Sequence, residues 1–261
     1  MRYLLHMLAV NLRREMQYRL SFFLSVLSQA VMTLGDLMAI LLLLERFRSL
    51  GRWEGAEILF FFGAMQLSFA LAQTFGRGVE EFSGRVREGS FDTLLVRPRS
   101  LFVQTMLMEA DPRRIINGAI GITALAVASG RLGLHWTGGR VLQLSFSVLS
   151  AFSLILGLFT LEASISFFTV DSIEMVNVLT YGGKQACSYP VDIYPSMIRT
   201  LFTGIPLALC LHQPISMILG KPIYSSSMPL TLLCLLAGPA FLALMQLAWR
   251  AGVRHYRSTG T

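Results

Sequence analysis

Few side chains in this chain are spaced for covalent chemistry. Both lysines follow a glycine, as Gly183-Lys184 and Gly220-Lys221. A phosphate loop continues that pair with Ser or Thr. Here Gln185 and Pro222 follow, so neither stretch cradles a nucleotide. His6, His135, His212 and His255 stand far apart, and no His-Glu-x-x-His or Gly-x-Ser-x-Gly run occurs. Cys187, Cys210 and Cys234 lack pairing or metal-ligand spacing and read as apolar filler. Two acids are sharper candidates, because Asp36 and Glu162 lie in or beside long apolar runs. A carboxylate at membrane depth is costly and marks function by default. Asp36 sits eight residues before the end of its run, roughly 12 Å of helix rise. It suits the wall of a pathway or a subunit seam. Glu162 follows 21 uncharged residues and suits either the pathway or the inner interface.

The elements that must hold these residues follow from composition. Of 261 residues, 54% are hydrophobic and only 14% charged. A soluble domain carries about 25% charged residues, so a water-soluble fold is excluded. Collagen, coiled coil, disorder and a disulfide scaffold fail on the same figures. An all-α polytopic membrane protein remains, since lipid forces backbone groups to pair within a helix. Stretches able to cross about 30 Å of hydrocarbon predict six spans, at about 21–44, 58–76, 115–136, 141–162, 198–218 and 230–250. Of 22 basic residues, 16 fall at the positions that then share a side with the termini, which predicts both termini in the cytoplasm. The net charge of +7 is explained by that bias, and scattered arginines do not predict nucleic-acid binding. Residues 1–20 do not read as a signal peptide, because Arg13, Arg14 and Glu15 interrupt the apolar run. Leu5, Leu8, Leu12 and Met16 recur at helical spacing and predict an interfacial helix.

The longest polar stretch, 77–114, is expected in the cytosol and holds seven Arg and six acids around Phe91, Leu94 and Leu95. Such a pattern predicts a short amphipathic element, ended by Pro98. Its core, Arg87-Glu88-Gly89-Ser90-Phe91-Asp92-Thr93-Leu94-Leu95-Val96-Arg97-Pro98, resembles a segment of ATP-binding-cassette (ABC) type-2 permeases. Tyr189-Pro190-Val191-Asp192-Ile193-Tyr194-Pro195 and the opening Arg13-Arg14-Glu15-Met16-Gln17-Tyr18-Arg19 resemble a six-span branch of viologen-exporter-like permeases. The likeness runs over nearly the whole chain.

That resemblance implies a single transmembrane domain, 1–261, whose 77–114 region carries a coupling helix. Arg87, Glu88, Gly89, Phe91, Asp92, Leu95, Arg97 and Pro98 would contact a cytosolic ATPase. It implies an exporter without cofactors of its own, ATP and Mg being held by the partner ATPase subunits. A second permease subunit, the same chain or a related one, would complete the pathway in the bacterial inner membrane. An amphipathic or hydrophobic substrate is expected. An element lacking a nucleotide site must receive force through a stiff cytosolic segment, and apolar knobs in a charged rim suit such docking. Gly89 would allow a tight turn before that helix. Residues 171–197, with two Tyr-Pro units, predict a rigid strip at the inner surface. Pro206, Pro214, Pro222 and Pro229 predict a re-entrant element on the outer side before the sixth span. The alternatives are an importer or ion-coupled carrier, an intramembrane lipid-modifying enzyme, and a membrane scaffold.

Overall fold

A computed structural model describes residues 10, 13–14, 16–47, 49–96, 100–169, 174–224 and 227–256. Most of the expected interfacial helix at 1–20 lies outside these, as do Arg97 and Pro98. The described chain is helical apart from one two-residue hairpin. Helix α1 spans Arg19–Phe47. Strands β1 (Ser49–Leu50) and β2 (Trp53–Glu54) turn back antiparallel. Next come α2 (Gly55–Glu80), α3 (Phe82–Arg87), α4 (Asp92–Leu95) and α5 (Leu101–Met108). Helices α6 (Ile115–Arg131) and α7 (Gly138–Ile165) follow. The chain then forms α8 (Glu174–Asn177), a π-helical turn over Val178–Gly182, and α9 (Gly183–Cys187). It ends with α10 (Ser196–Gly204), α11 (Leu207–Ile218) and α12 (Met228–His255).

Four helices among the described residues are long and apolar enough to cross a membrane, or five if the bent α10–α11 pair counts as one span. They cover the expected stretches 21–44, 58–76, 141–162 and 230–250. Helix α6 starts where expected at Ile115 but ends at Arg131, five residues before the predicted 136.

Helix α2 is the hub. A capping box starts it, with the Glu57 carboxylate accepting from the Glu54 backbone N–H at 2.8 Å. It packs against α5, α6, α7, α9 and α11, and its apolar stretch is 83% buried, against 11% for α1. Without water inside a bilayer, close packing replaces the hydrophobic effect between helices, and small residues permit it. Gly63 of α2 and Gly121 of α6 meet in this way. A Cβ on Gly63 would stand 2.8 Å from the Gly121 carbonyl oxygen, and one on Gly121 2.9 Å from the Gly63 oxygen. At Gly238, where α12 crosses α7, a Cβ would stand 1.9 Å from the Ser150 carbonyl oxygen.

The stretch 198–218, in which Pro206 and Pro214 predict a break, is bent: α10 and α11 meet at 102°. Pro206 causes the break. It has no N–H to donate, and it drives the preceding Ile205 to an extended conformation, φ −84° and ψ 108°. One expectation is corrected here: the described part of the strip, 174–197, is not confined to one surface. From Tyr181, which meets Gln73 and Glu80 near the C-terminus of α2, it reaches Asp192, which meets Trp53 and Arg52 at the N-terminus. Asp192 therefore lies with Arg52 and Lys221, on the side the sequence reading assigns to the exterior.

Candidate functional site

Residues 82–96 begin where α2 ends and form a compact hook. The Glu88 N–H donates to the Gly84 carbonyl, and the Ser90 N–H reaches back to Arg85 at 3.1 Å. Gly89 sits at φ +68°, a left-handed conformation that disfavours a Cβ. That turn redirects the chain so that Phe91 and Leu94 face inward, and both are almost completely buried. The Phe91 ring meets Phe82 and Tyr256 edge-on, each at 5.0 Å, and Phe167 at 5.6 Å. Phe82 in turn contacts Trp249 of α12 at 4.7 Å. One aromatic cluster thus ties the hook, which continues from α2, to the ends of α7 and α12.

Phe91 is therefore an anchor inside the chain and not a docking knob, a correction to its expected role. Spacings of three and four would put Phe91, Leu94 and Leu95 on one face of a longer helix, but α4 is a single turn that starts after Phe91, and Leu95 at its end is left outward. Leu95 and Val96 point outward, Val96 at 83% exposure. Glu88 is exposed beside them and Asp92 is half-buried. Arg87 occupies the last position of α3.

Behind the hook lies a polar layer with two faces. A cavity of about 580 Å³ is lined by Glu80, Glu81, Glu88, Glu109 and Glu162, with Arg85 and Tyr181. Arg85 pairs with Glu109, and Tyr181 donates to Glu80. Glu162 is 5% exposed, and its Oε2 has no hydrogen-bond partner among the described residues. On the other face, Asp111 is surrounded by Arg113 at 2.8 Å, Arg114 at 3.5 Å and Arg77 at 3.8 Å. Burial alone would raise the Asp111 carboxyl. The hydrogen bonds and charge of Arg113, with Arg114 behind it, win and hold it below its ordinary value. Arg114 also donates to Gln73 at 3.0 Å and to Gln29 at 3.4 Å, joining α1, α2 and the start of α6.

Asp36, the other acid singled out from the sequence, has a partner of its own. Its carboxylate is 3.2 Å from the Lys184 Nζ, which also lies 5.5 Å from the centre of the Phe69 ring. Sequence reasoning missed this partner, because Lys184 was assigned to a surface strip. At the opposite end of α2, Arg52 and the Trp53 indole both bind Asp192, at 2.8 and 2.7 Å, while Lys221 binds Glu57 at 2.8 Å. That clasp was missed too, since its members are more than 130 residues apart.

The geometry is that of a helical membrane domain with a surface-exposed hook anchored from within. A family model described as "ABC-2 family transporter protein" matches residues 30–260. The chain belongs to that family. No curated protein and no solved structure matches it. As an ABC-2 permease it is a transmembrane subunit of an ABC transporter rather than an enzyme, and the family implies ABC ATPase partners. The match covers the hook, α6, the π-helical strip and the bent pair alike. In this ABC-2 permease, then, Glu88, Thr93, Leu95 and Val96 are exposed on the hook, and Phe91 and Leu94 are its root.

Proposed function

We propose that this ABC-2 permease works as an exporter subunit, driven through the 82–96 hook by separate cytosolic ATPases. The observation that carries the reading is the hook's two-sidedness. Leu95, Val96 and Glu88 are free to meet a partner, while Phe91 and Leu94 lock the same few residues against the ends of α7 and α12. A push on the outward face is thereby delivered to those two helices by packing and to α2 through the chain itself. Glu88, Asp92 and the exposed pair supply the apolar centre and charged rim of a transient interface, with Arg87 next to them in sequence.

The proposal further assigns six spans: α1, α2, α6, α7, the broken strip over 174–193, and α12. Support for the fifth comes from the strip's contacts with both ends of α2. The bent α10–α11 pair then forms the re-entrant element on the exterior, fastened by the Arg52–Asp192 and Lys221–Glu57 pairs. Both termini and the hook face the cytoplasm of a bacterial inner membrane, in line with the basic residues near them. Two permease subunits, identical or related, enclose a pathway for an amphipathic or hydrophobic substrate.

Single-cysteine labelling with a membrane-impermeant maleimide tests the arrangement. A cysteine at Lys221 should label in intact cells, and one at Val96 only after the membrane is opened. Equal labelling of both in intact cells would refute the topology.

A further inference from the structure

We propose that the seam between α1 and α6 holds an anionic phospholipid, its phosphate seated on Arg77, Arg113 and Arg114 and one acyl chain laid along α1. Three observations converge on it.

First, a cavity of about 530 Å³ opens at the start of α1, lined by Ser21, Ser25 and Ser28 on one side and by the three arginines with Asp111 on the other. The wall thus holds three guanidiniums and one carboxylate. Glu81 also pairs with Arg77, but it lines the separate acidic cavity. Each guanidinium carries five N–H donors in a planar fork suited to phosphate oxygens, more than the two oxygens of Asp111 can use.

Second, the serine hydroxyls on that wall are open donors. Ser68, Ser145, Ser153 and Ser164 each donate to the carbonyl four residues earlier, the usual resort of serine in a membrane helix. Ser21, Ser25 and Ser28 have no hydrogen bond among the described residues. Their spacing of four and three places them on one face of α1, toward the arginines.

Third, an apolar track leaves the cavity. Leu24, Leu27, Val31, Leu34, Met38 and Leu41 recur at alternating spacings of three and four, and all are exposed. Leu24 lines the arginine cavity. Leu34 and Leu41 line a second, mainly apolar cavity of about 230 Å³ between α1, α2 and α6, whose wall also holds Thr123 and Arg131. From Leu24 to Leu41 the helix rises roughly 25 Å, comparable to an extended fatty acyl chain. A charged head site and an exposed apolar track that starts beside it at Leu24 on the same helix match a phospholipid better than either feature matches a water-soluble phosphate. The inference requires only that the chain lie in a membrane.

The test uses the full chain, delipidated in detergent, titrated with phosphatidylglycerol, phosphatidylcholine or inorganic phosphate, and read by native mass spectrometry and thermal melting. Phosphatidylglycerol should bind roughly 10-fold more tightly than phosphatidylcholine, the scale of one charge-assisted contact. Arg114→Gln should erase that preference. Because Arg114 also bridges three helices, the Ser21→Ala, Ser25→Ala, Ser28→Ala triple variant is the second arm. It should keep its melting temperature in phosphatidylcholine and lose several-fold in phosphatidylglycerol affinity. Equal binding of the two lipids, or an unchanged preference in both variants, overturns the proposal. Inorganic phosphate protecting as well as the lipid overturns the acyl track. A Met38→Cys variant that cross-links to a second copy in the membrane, instead of remaining lipid-accessible, assigns the track to a protein and overturns it likewise.

Discussion

Phe91 and Leu95 stand four residues apart and do opposite work. Phe91→Ala removes a buried ring from the aromatic cluster, and losses of this type cost about 3–5 kcal/mol. Thermal melting should show that loss, with poor yield in the membrane. Leu95→Ala should leave melting unchanged, because the side chain is 42% exposed, while lowering ATPase binding. Asp36 and Lys184 form the other residue-scale expectation. Removing either partner leaves a charge in the spans without its counter-ion. Asp36→Asn and Lys184→Gln should each impair transport several-fold, and the double variant should lose less than the sum, with a coupling of about 0.5–3 kcal/mol. Strict additivity would show that the pair does not act as a unit. Asp111 has a pH signature. Its folded carboxyl is held below the ordinary value, so its stabilisation is full above that value and fades as pH falls through the lower, folded one. Asp111→Asn should remove that part of the acid limb from a melting-versus-pH curve.

At the scale of elements, helix crossings make the sharpest contrast. Gly121→Val must push a side chain into the Gly63 carbonyl and the Leu67 backbone, so the α2–α6 crossing should open and the protein melt or fail to accumulate. Gly35→Ala meets nothing within 4 Å and should be silent. These elements were unequally legible in the sequence. The uncharged runs inside α2, α7 and α12 announced themselves, because nothing but a buried or lipid-facing helix tolerates such runs. The strip over 174–193 did not. Glu174, Asn177, Tyr181, Lys184 and Gln185 make it look like a loop, and hydropathy cannot know that Lys184 will meet Asp36 or that Tyr181 will meet Glu80. Conversely, 198–218 looked like a span because it is apolar. Its Ile205-Pro206 break is visible in sequence, while the 102° bend is a tertiary fact. At the hook, the motif supplied the right residues, and the φ +68° turn at Gly89 follows from glycine itself. Which of them face inward depends on Phe82, Phe167, Trp249 and Tyr256, which lie far apart in sequence.

For the whole molecule, the proposed function makes the hook a lever joined through α2 to the clasp. The hook and its aromatic root sit at one end of α2, and the Arg52–Asp192 and Lys221–Glu57 clasp sits at the other. Between them the Asp36–Lys184 pair ties α1 to the strip. Force applied at the hook has a continuous, well-packed helix along which to reach the clasp. Such a device is useful only if another chain supplies the force. Co-purification with a phosphate-loop ABC ATPase, from the native membrane and with Leu95→Asp and Val96→Asp introduced together, tests this most directly. The account predicts that the unaltered chain brings down the ATPase, and that the double variant loses it while its melting temperature is unchanged. Retention of the ATPase by a well-folded double variant, or its absence from the unaltered chain, would contradict the account.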